Sequence, residues 1–435
     1  GESVLRYLLA QGIEAVVLDT RPPRQTGFAQ TEFLWETQRW PGLAVDFAAV
    51  SPGLAMDHCL VAGAAASGVR LVSDIDLFFA AVQAPVIGVT GTNGKSTVTA
   101  LAGHMLNHAG VPCGVGGNLG TAALDLVDDR HQCYVLELSS FQLERSKEQA
   151  FDAAVVLNVT EDHLDKHGDM QHYVQAKQRI YTNAARCVFN RMDPLTVPAR
   201  PDGACSFGLD APPADVDWGV AQDLEGSRVL VRGADTLCAA ADLPLSGAHN
   251  ELNVLAACAL VDAHLDFDQM RAGLVSFKGL PHRFEVVGQL DGVVYVNDSK
   301  ATNLGATMAA LAGMRCAEQV ILIAGGDAKG VDLAPLAEVF KGRVRHVLTI
   351  GRDGPQIAAV AAGCGIACRA CMSLEEAVVV GRSLAKAGDT VLLSPACASL
   401  DMFDNYMQRG ECFAQAVAQL PSARRGAATG GEDAD

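Results

Sequence analysis

The segment APVIGVTGTNGKST, residues 84–97, constrains the fold more than any other part of the chain. Val86, Ile87 and Val89 form an apolar, β-branched run of the kind that becomes a buried strand. Gly91, Gly94, Lys95 and Ser96 follow at once, and then Val98, Leu101, Ala102, Met105 and Leu106 recur on one helical face up to a stop at Gly110. Strand, tight glycine turn and helix in that order open a βαβ unit, which predicts an α/β fold with a mostly parallel sheet. The turn also has a chemical reading. Its glycines let backbone N–H groups point inward at phosphate oxygens, the helix N-terminus adds partial positive charge, Lys95 adds a full charge, and the Ser96 hydroxyl can ligate Mg²⁺. The usual phosphate loop has glycine five residues before the Gly-Lys pair, where this chain has Val89. The plainer reading is a tight turn ahead of a helix; strand-loop-helix context and the Lys-Ser placement favour phosphate.

At 435 residues the chain is too long for one core, and roughly 150 residues per domain predicts about three. Residues 1–73 open with helical spacing at Val4, Leu5, Leu8 and Leu9, a stop at Gly12, and then strand candidates AVVLD, VDFAAV and GVRLV, which predicts a small open sheet. A helix-then-strand opening is what remains of a doubly wound unit without its first strand and Gly-rich turn, so those are expected upstream of Gly1. Residues 74–279 hold the glycine loop, strands at CYVLEL, AAVVLNV and RCVFN, a Pro-rich segment around 198–216, and an antiparallel addition near SRVLVRG. Residues 280–420 contain QVILIAGGD, HVLTIGRD and DTVLLSPA, each followed by a helical pattern, which predicts a second mostly parallel sheet. Residues 421–435 carry no packing pattern and are expected to be a disordered tail.

A formal charge of -17 argues against nucleic acid or an anionic membrane as partner, because phosphate polymers are bound by clustered Lys and Arg. No apolar run is long enough to span a bilayer, and these residues show no charged-then-apolar pattern of the secretory type, so a cytoplasmic protein is expected. The 13 cysteines are scattered through apolar runs, which reads as reduced thiols of a cytoplasmic protein. Cys364, Cys368 and Cys371 could hint at zinc, but the second ligand pair of a structural site is missing nearby.

A nucleotide loop needs an acidic metal partner at a neighbouring strand end, and Glu137 after Tyr134-Val135-Leu136 supplies one. An ionised group in an apolar run is costly unless paired or metal-bound. NVTEDHLDKHGDMQHYVQAKQRIY brings His163, His167 and His172 among carboxylates, readable either as a transition-metal site or as a solvated loop before a helix. Lys177 lies in that helix, where the plain expectation is a surface lysine.

Eight strings in order, VTGTNGKST, YVLELSSFQLE, LNVTEDHLD, SGAHNELN, GLPHRFE, NDSKATN, AGGDAKG and LLSPACASLDMF, resemble the Mur ligases over nearly the whole chain. The resemblance implies a Rossmann-like UDP-binding domain, a central P-loop ATPase domain and a C-terminal Rossmann-like domain. It implies ATP-dependent joining of D-glutamate to UDP-N-acetylmuramoyl-L-alanine through an acyl phosphate, with two Mg²⁺ ions, in a cytoplasmic monomer. On that basis Gly91, Thr92, Asn93, Gly94, Lys95, Ser96 and Thr97 would hold the ATP phosphates, with Asn250, Asn253, Arg283 and Asp298 at the rest of the nucleotide. Ser96, Glu137, His163 and Lys177 would serve the metals, Lys177 as a carbamate, while His167 and His172 match nothing required. Catalysis would fall to Lys95, His163 and Lys177. Asp19, Thr20, Arg21, Ser51, Pro52, Gly53 and Asn118 would contact the UDP-sugar substrate; Lys300, Thr302, Lys329, Ser399 and Tyr406 would contact glutamate. Tyr406 stands where a relative has Phe, and its hydroxyl needs a partner if buried.

Folylpolyglutamate synthetase is a neighbouring alternative, against which the C-terminal string and the DTR and SPG segments weigh. A nucleotide switch without ligation chemistry would be expected to carry an Asn-Lys-x-Asp base-reading motif, which is absent.

Overall fold

The computed structural model describes residues 1–118, 120–147, 149–243, 247–314 and 319–421. The tail expected from residue 421 onward therefore lies, beyond Pro421, outside the described residues. Contacts divide the chain into two compact units, one of Gly1–Pro244 with Asn250–Phe277, the other of 245–249 with 278–435.

In the first unit the main sheet has nine strands among the described residues. Its order is Asp235–Ala239, Arg228–Arg232, Trp218–Gln222, Cys205–Phe207, Arg186–Asn190, Ala153–Val156, Val86–Thr90, Cys133–Glu137 and Cys113–Gly117. Neighbours run parallel from Cys113–Gly117 as far as Trp218–Gln222, and the last two strands add an antiparallel ribbon. Val86–Thr90 lies near the middle and is buried at every position. A fully buried Val or Ile contributes about 1.5–3 kcal/mol, so this strand is a rigid base for the loop that follows. Ile75 and Phe78 pack beneath the sheet with Leu136, Tyr173 and Ile180, and Phe78 meets Tyr134 edge-on at 5.1 Å.

The N-terminal strands differ from the small open sheet expected of them. Val16–Leu18 pairs with Glu32–Leu34, and Phe47–Ala49 pairs with Arg70–Val72, as two separate parallel pairs. Each strand is three residues long, and Pro22, Pro23 and Pro41 in the connecting segments lack the N–H that would extend a ladder.

The second unit has a six-stranded sheet among the described residues, in the order Glu285–Leu290, Val293–Asn297, Thr390–Leu393, Val320–Gly325, Val344–Ile350 and Ala367–Ala370. All neighbours are parallel except the first pair, a hairpin that the sequence pattern did not disclose. Alternation along Val320–Gly325 sends Val320, Leu322 and Ala324 to one apolar layer and Ile321 and Ile323 to the other. Both faces are covered, as parallel sheets require. Cys368 lies on the edge strand and Cys371 is buried just beyond it. No described helix is long and apolar enough to cross a membrane.

Candidate active site

The glycine loop leaves Val86–Thr90 and enters the helix Lys95–His108. Gly94 stands at the N-cap with φ 84°, a left-handed backbone, and a Cβ there would collide with Asn253 Oδ1. Only glycine fits that position without strain. Lys95 Nζ donates to the carbonyls of Gly91 and Thr92, each at 2.8 Å, so the cation lies over the loop. Ser96 and Thr97 are buried at the helix start.

The loop is fastened from the end of the adjacent strand. Asn158 accepts from the Asn93 amide at 2.8 Å through Oδ1, donates to the Asn93 carbonyl at 3.0 Å, and accepts from the Thr92 amide at 2.9 Å through its own carbonyl. Thr92 Oγ1 accepts from the Thr160 amide at 3.0 Å and lies 3.2 Å from the Tyr173 hydroxyl. Sequence reasoning did not single out Asn158, Thr160 or Tyr173. Asn158 and Thr160 carried only the signal of short polar residues just after a buried strand, and Tyr173, on the helix Met170–Gln178, carried none.

Lys177 is not the surface residue that its helix pattern predicts. It lies on Met170–Gln178 with 2% exposure, donates to the Gly91 carbonyl at 2.9 Å, and stands 4.4 Å from the centre of the Tyr173 ring. Burial, reinforced by Lys95, lowers its pKa well below the usual lysine value, against the opposing pull of Asp162 and Glu137. Glu137 ends Cys133–Glu137 with 3% exposure. Its Oε1 accepts from Asn118 Nδ2 at 2.8 Å, while Oε2 is buried with no hydrogen-bond partner among the described residues. An orphaned buried carboxylate oxygen is costly, and a cation beside it would remove that cost. No group of three or more His, Cys, Asp or Glu side chains converges on a metal position among the described residues. Mg²⁺ needs no such cage: it binds through one or two carboxylates, waters and substrate phosphates, so the donor set around Ser96 and Glu137 suits it.

The three histidines part company. His163, with a half-exposed side chain, has a left-handed backbone at φ 55°, and its Nε2 lies 3.7 Å from Asp162 Oδ2. His167 is buried, stacked on Phe141 at 4.8 Å and hydrogen-bonded to Ser140 Oγ at 2.9 Å, a core histidine. His172 is exposed beside Asp169, which caps the helix.

Asn253 Nδ2 donates to Asn250 Oδ1 at 3.3 Å on the helix Ala248–Val261, and the Asn253 side chain lies against the loop at Gly94. In the N-terminal segment Arg21 holds Asp19 in a two-point ion pair at 2.7 and 2.9 Å, which lowers the Asp19 pKa to about 2. The Thr20 carbonyl accepts from Gln38, and the Ser51 carbonyl, ahead of Pro52 and Gly53, accepts from Arg145.

The second unit gathers its own set. Lys300 Nζ lies 3.9 Å from the centre of the Tyr406 ring, a cation–π contact. The Thr302 amide donates to the Lys300 carbonyl at 2.8 Å, and buried Ser399 follows the strand Thr390–Leu393. Arg409, 1% exposed and unremarked in the sequence, donates to the Ser299 hydroxyl and carbonyl and to the Cys397 carbonyl. The Asp298 carboxyl accepts from Ser394 Oγ at 2.8 Å and from the Phe284 amide at 3.2 Å. Burial pushes its pKa up to about 7, against the pull of Ser394 and Arg283.

Because the folded pKa of Asp298 lies above the ordinary aspartate value of 3.8, the native state holds its proton longer than the unfolded chain does. This group therefore withdraws stability as pH rises from about 4 to about 7, and adds no such penalty below that window. Denaturant unfolding at pH 4.5 and pH 8 should show a smaller loss on raising pH in Asp298→Asn than in the unaltered chain; equal losses would refute the assignment.

Residues 89–261 match the Mur ligase middle domain and residues 282–397 match the Mur ligase, glutamate ligase domain. The UDP-N-acetylmuramoylalanine–D-glutamate ligase of Shewanella oneidensis is 44% identical over 434 residues, covering 97% of this chain and 96% of that protein. The enzyme of the same name from Escherichia coli is 43% identical, with coverages of 97% and 96%. Among solved structures, the UDP-N-acetylmuramate–alanine ligase of Thermotoga maritima superposes with a TM-score of 0.63 at 18% identity, covering 95% of each chain. MurF ligase from Thermotoga maritima, in complex with ADP, gives 0.57 at 17% identity, covering 82% of this chain and 91% of that one. With both domains matched and the curated likeness running nearly end to end, the chain belongs to the Mur ligase family.

Proposed function

We propose that the chain is an ATP-dependent ligase that joins D-glutamate to UDP-N-acetylmuramoyl-L-alanine in the synthesis of cell-wall precursor. The observation that carries the chemistry is the convergence of Lys95 and buried Lys177 on the Gly91 carbonyl. The likeness to the Shewanella oneidensis and Escherichia coli enzymes supports the choice of substrates.

A carboxylate is a poor electrophile, and amide formation in water runs uphill. Transfer of the γ-phosphoryl group breaks its bond to the ADP oxygen and makes one to the carboxylate of the substrate's alanine. The glutamate amine then attacks the acyl carbon, phosphate leaves with the bonding electrons, and the amine proton goes to solvent. The amides of residues 91–97 and Lys95 hold the phosphates in line. Asn250 and Asn253 hold the base, with Arg283 and Asp298 elsewhere on the nucleotide. Asp19, Thr20, Arg21, Ser51, Pro52, Gly53 and Asn118 serve the UDP-sugar; Lys300, Thr302, Lys329, Ser399 and Tyr406 serve glutamate. In this reading residues 1–73, 74–279 and 280–420 are the UDP, ATP and glutamate domains of a cytoplasmic monomer.

Ser96, Glu137, His163 and Lys177 would hold two Mg²⁺ ions, which when bound offset repulsion between phosphate and carboxylate. Lys177 serves there as its carbamate: the neutral amine adds CO₂ and releases a proton, which turns a buried amine into an anion. The amine's burial, with Lys95 nearby, favours its neutral form.

Phosphate release from ATP is expected only when the muramoyl-alanine nucleotide and D-glutamate are both present. Equal release without either one would rule the ligase reading out.

A further inference from the structure

Two loops meet at the carboxyl ends of neighbouring parallel strands in the second unit: residues 325–330 after Val320–Gly325, and the turn after Val344–Ile350. Lys329 leaves the first loop from a left-handed backbone at φ 54°. A residue with a Cβ adopts that conformation only where its surroundings impose it. Here Asp327 Oδ1 accepts from the Lys329 amide at 2.9 Å, and Asp353 Oδ2 accepts from the neighbouring Ala328 amide at 2.7 Å. The Asp353 amide in turn donates to the Gly326 carbonyl at 2.9 Å. Asp327 exchanges backbone hydrogen bonds of 3.0 and 2.8 Å with Ala398, next to Ser399, and Arg352 Nη1 donates to Asp327 Oδ2 at 3.0 Å. Gly326 allows this close approach, since a Cβ there would strike the Ala398 carbonyl.

Asp353 lies outside the eight family-like strings and stands at the N-cap of Gly354–Gly363, yet its side chain makes no capping hydrogen bond. An acid at that position ordinarily satisfies its own helix. This one divides its oxygens: Oδ1 accepts from the Gln356 side chain of its own helix at 3.0 Å, and Oδ2 reaches the adjacent loop, one residue from Lys329. We propose that Asp353 is a positioning residue for the glutamate site: it holds the 326–330 backbone so that Lys329 presents its ammonium to the substrate's side-chain carboxylate. The inference rests on the reading of Lys329 as a glutamate contact.

A double-mutant cycle in the full chain, with ligation measured against D-glutamate and against ATP, tests it. Asp353→Ala is expected to raise KM for D-glutamate about tenfold while KM for ATP stays within about twofold. Asp353→Asn, which keeps an acceptor for the Ala328 amide, should recover most of that loss. Lys329→Ala should itself raise KM for D-glutamate, and adding Asp353→Ala should then change it by less than about twofold. An effect of Asp353→Ala that is equal with and without Lys329, or an unchanged KM in the single variant, overturns the inference. An unchanged KM for D-glutamate in Lys329→Ala overturns the glutamate reading of Lys329 and the inference with it. Should Asp353→Ala not fold, Asp353→Glu, which keeps the charge but displaces the oxygens, enters the cycle with the same outcomes.

Discussion

Lys95→Ala is expected to lower ligation about 10³-fold while leaving the fold intact. The side chain sits at the first position of Lys95–His108, and its ammonium is held by two loop carbonyls. Its removal leaves no core cavity, and alanine is the best helix former, so the melting temperature should stay within a few degrees. On the proposed reading, what is lost is a full charge in a loop of backbone dipoles that would face the negative charge of the transferred phosphoryl group. Steady-state phosphate release and thermal unfolding, measured together, separate the two effects. Normal turnover with unchanged ATP affinity would remove the phosphate-loop assignment, and a large fall in melting temperature would make the lysine structural.

Lys177→Ala should cost about 10²- to 10³-fold in rate, for a different reason. Lys177 is buried against Tyr173 and the Gly91 carbonyl, and its cationic form would face Lys95. Truncation removes an amine whose charging is unfavourable there but empties a buried position, so a moderate loss of stability is expected beside the loss of rate. Added formate or acetate is expected to restore part of the rate by standing in for the carbamate. The unaltered chain should in turn lose activity when CO₂ and bicarbonate are removed from the buffer. Wild-type rates in the variant, or no response to either treatment, would leave Lys177 a packing residue.

The glycine loop and its flanking elements were readable because three local signals coincide: an apolar β-branched run, glycines where the backbone must turn, and a 3.6-residue apolar repeat. The observed strand and helix begin and end close to where those signals do. Glu137 was readable because an acid within an apolar run is anomalous, and the orphaned Oε2 is the structural form of that anomaly. The hairpin Glu285–Leu290 with Val293–Asn297 was not readable: its outer strand is half exposed and carries no clean alternation. Three of the four described N-terminal strands were placed correctly along the chain; Glu32–Leu34 was not, and the pairing into two separate sheets depended on connections whose course no local pattern states.

By itself the sequence determined the strand, glycine turn and helix of residues 86–108 and that a mostly parallel sheet would carry them, since the signals for these elements are local in the chain. Only the tertiary structure decided the states of the lysines. Lys177 is held by a carbonyl 86 residues away, and Lys329 is set in its left-handed backbone by loops from two other strand ends. Burial and electrostatic coupling are sums over neighbours in space. A helix segment as polar as MQHYVQAKQ does not reveal which of its side chains the fold will withdraw from water.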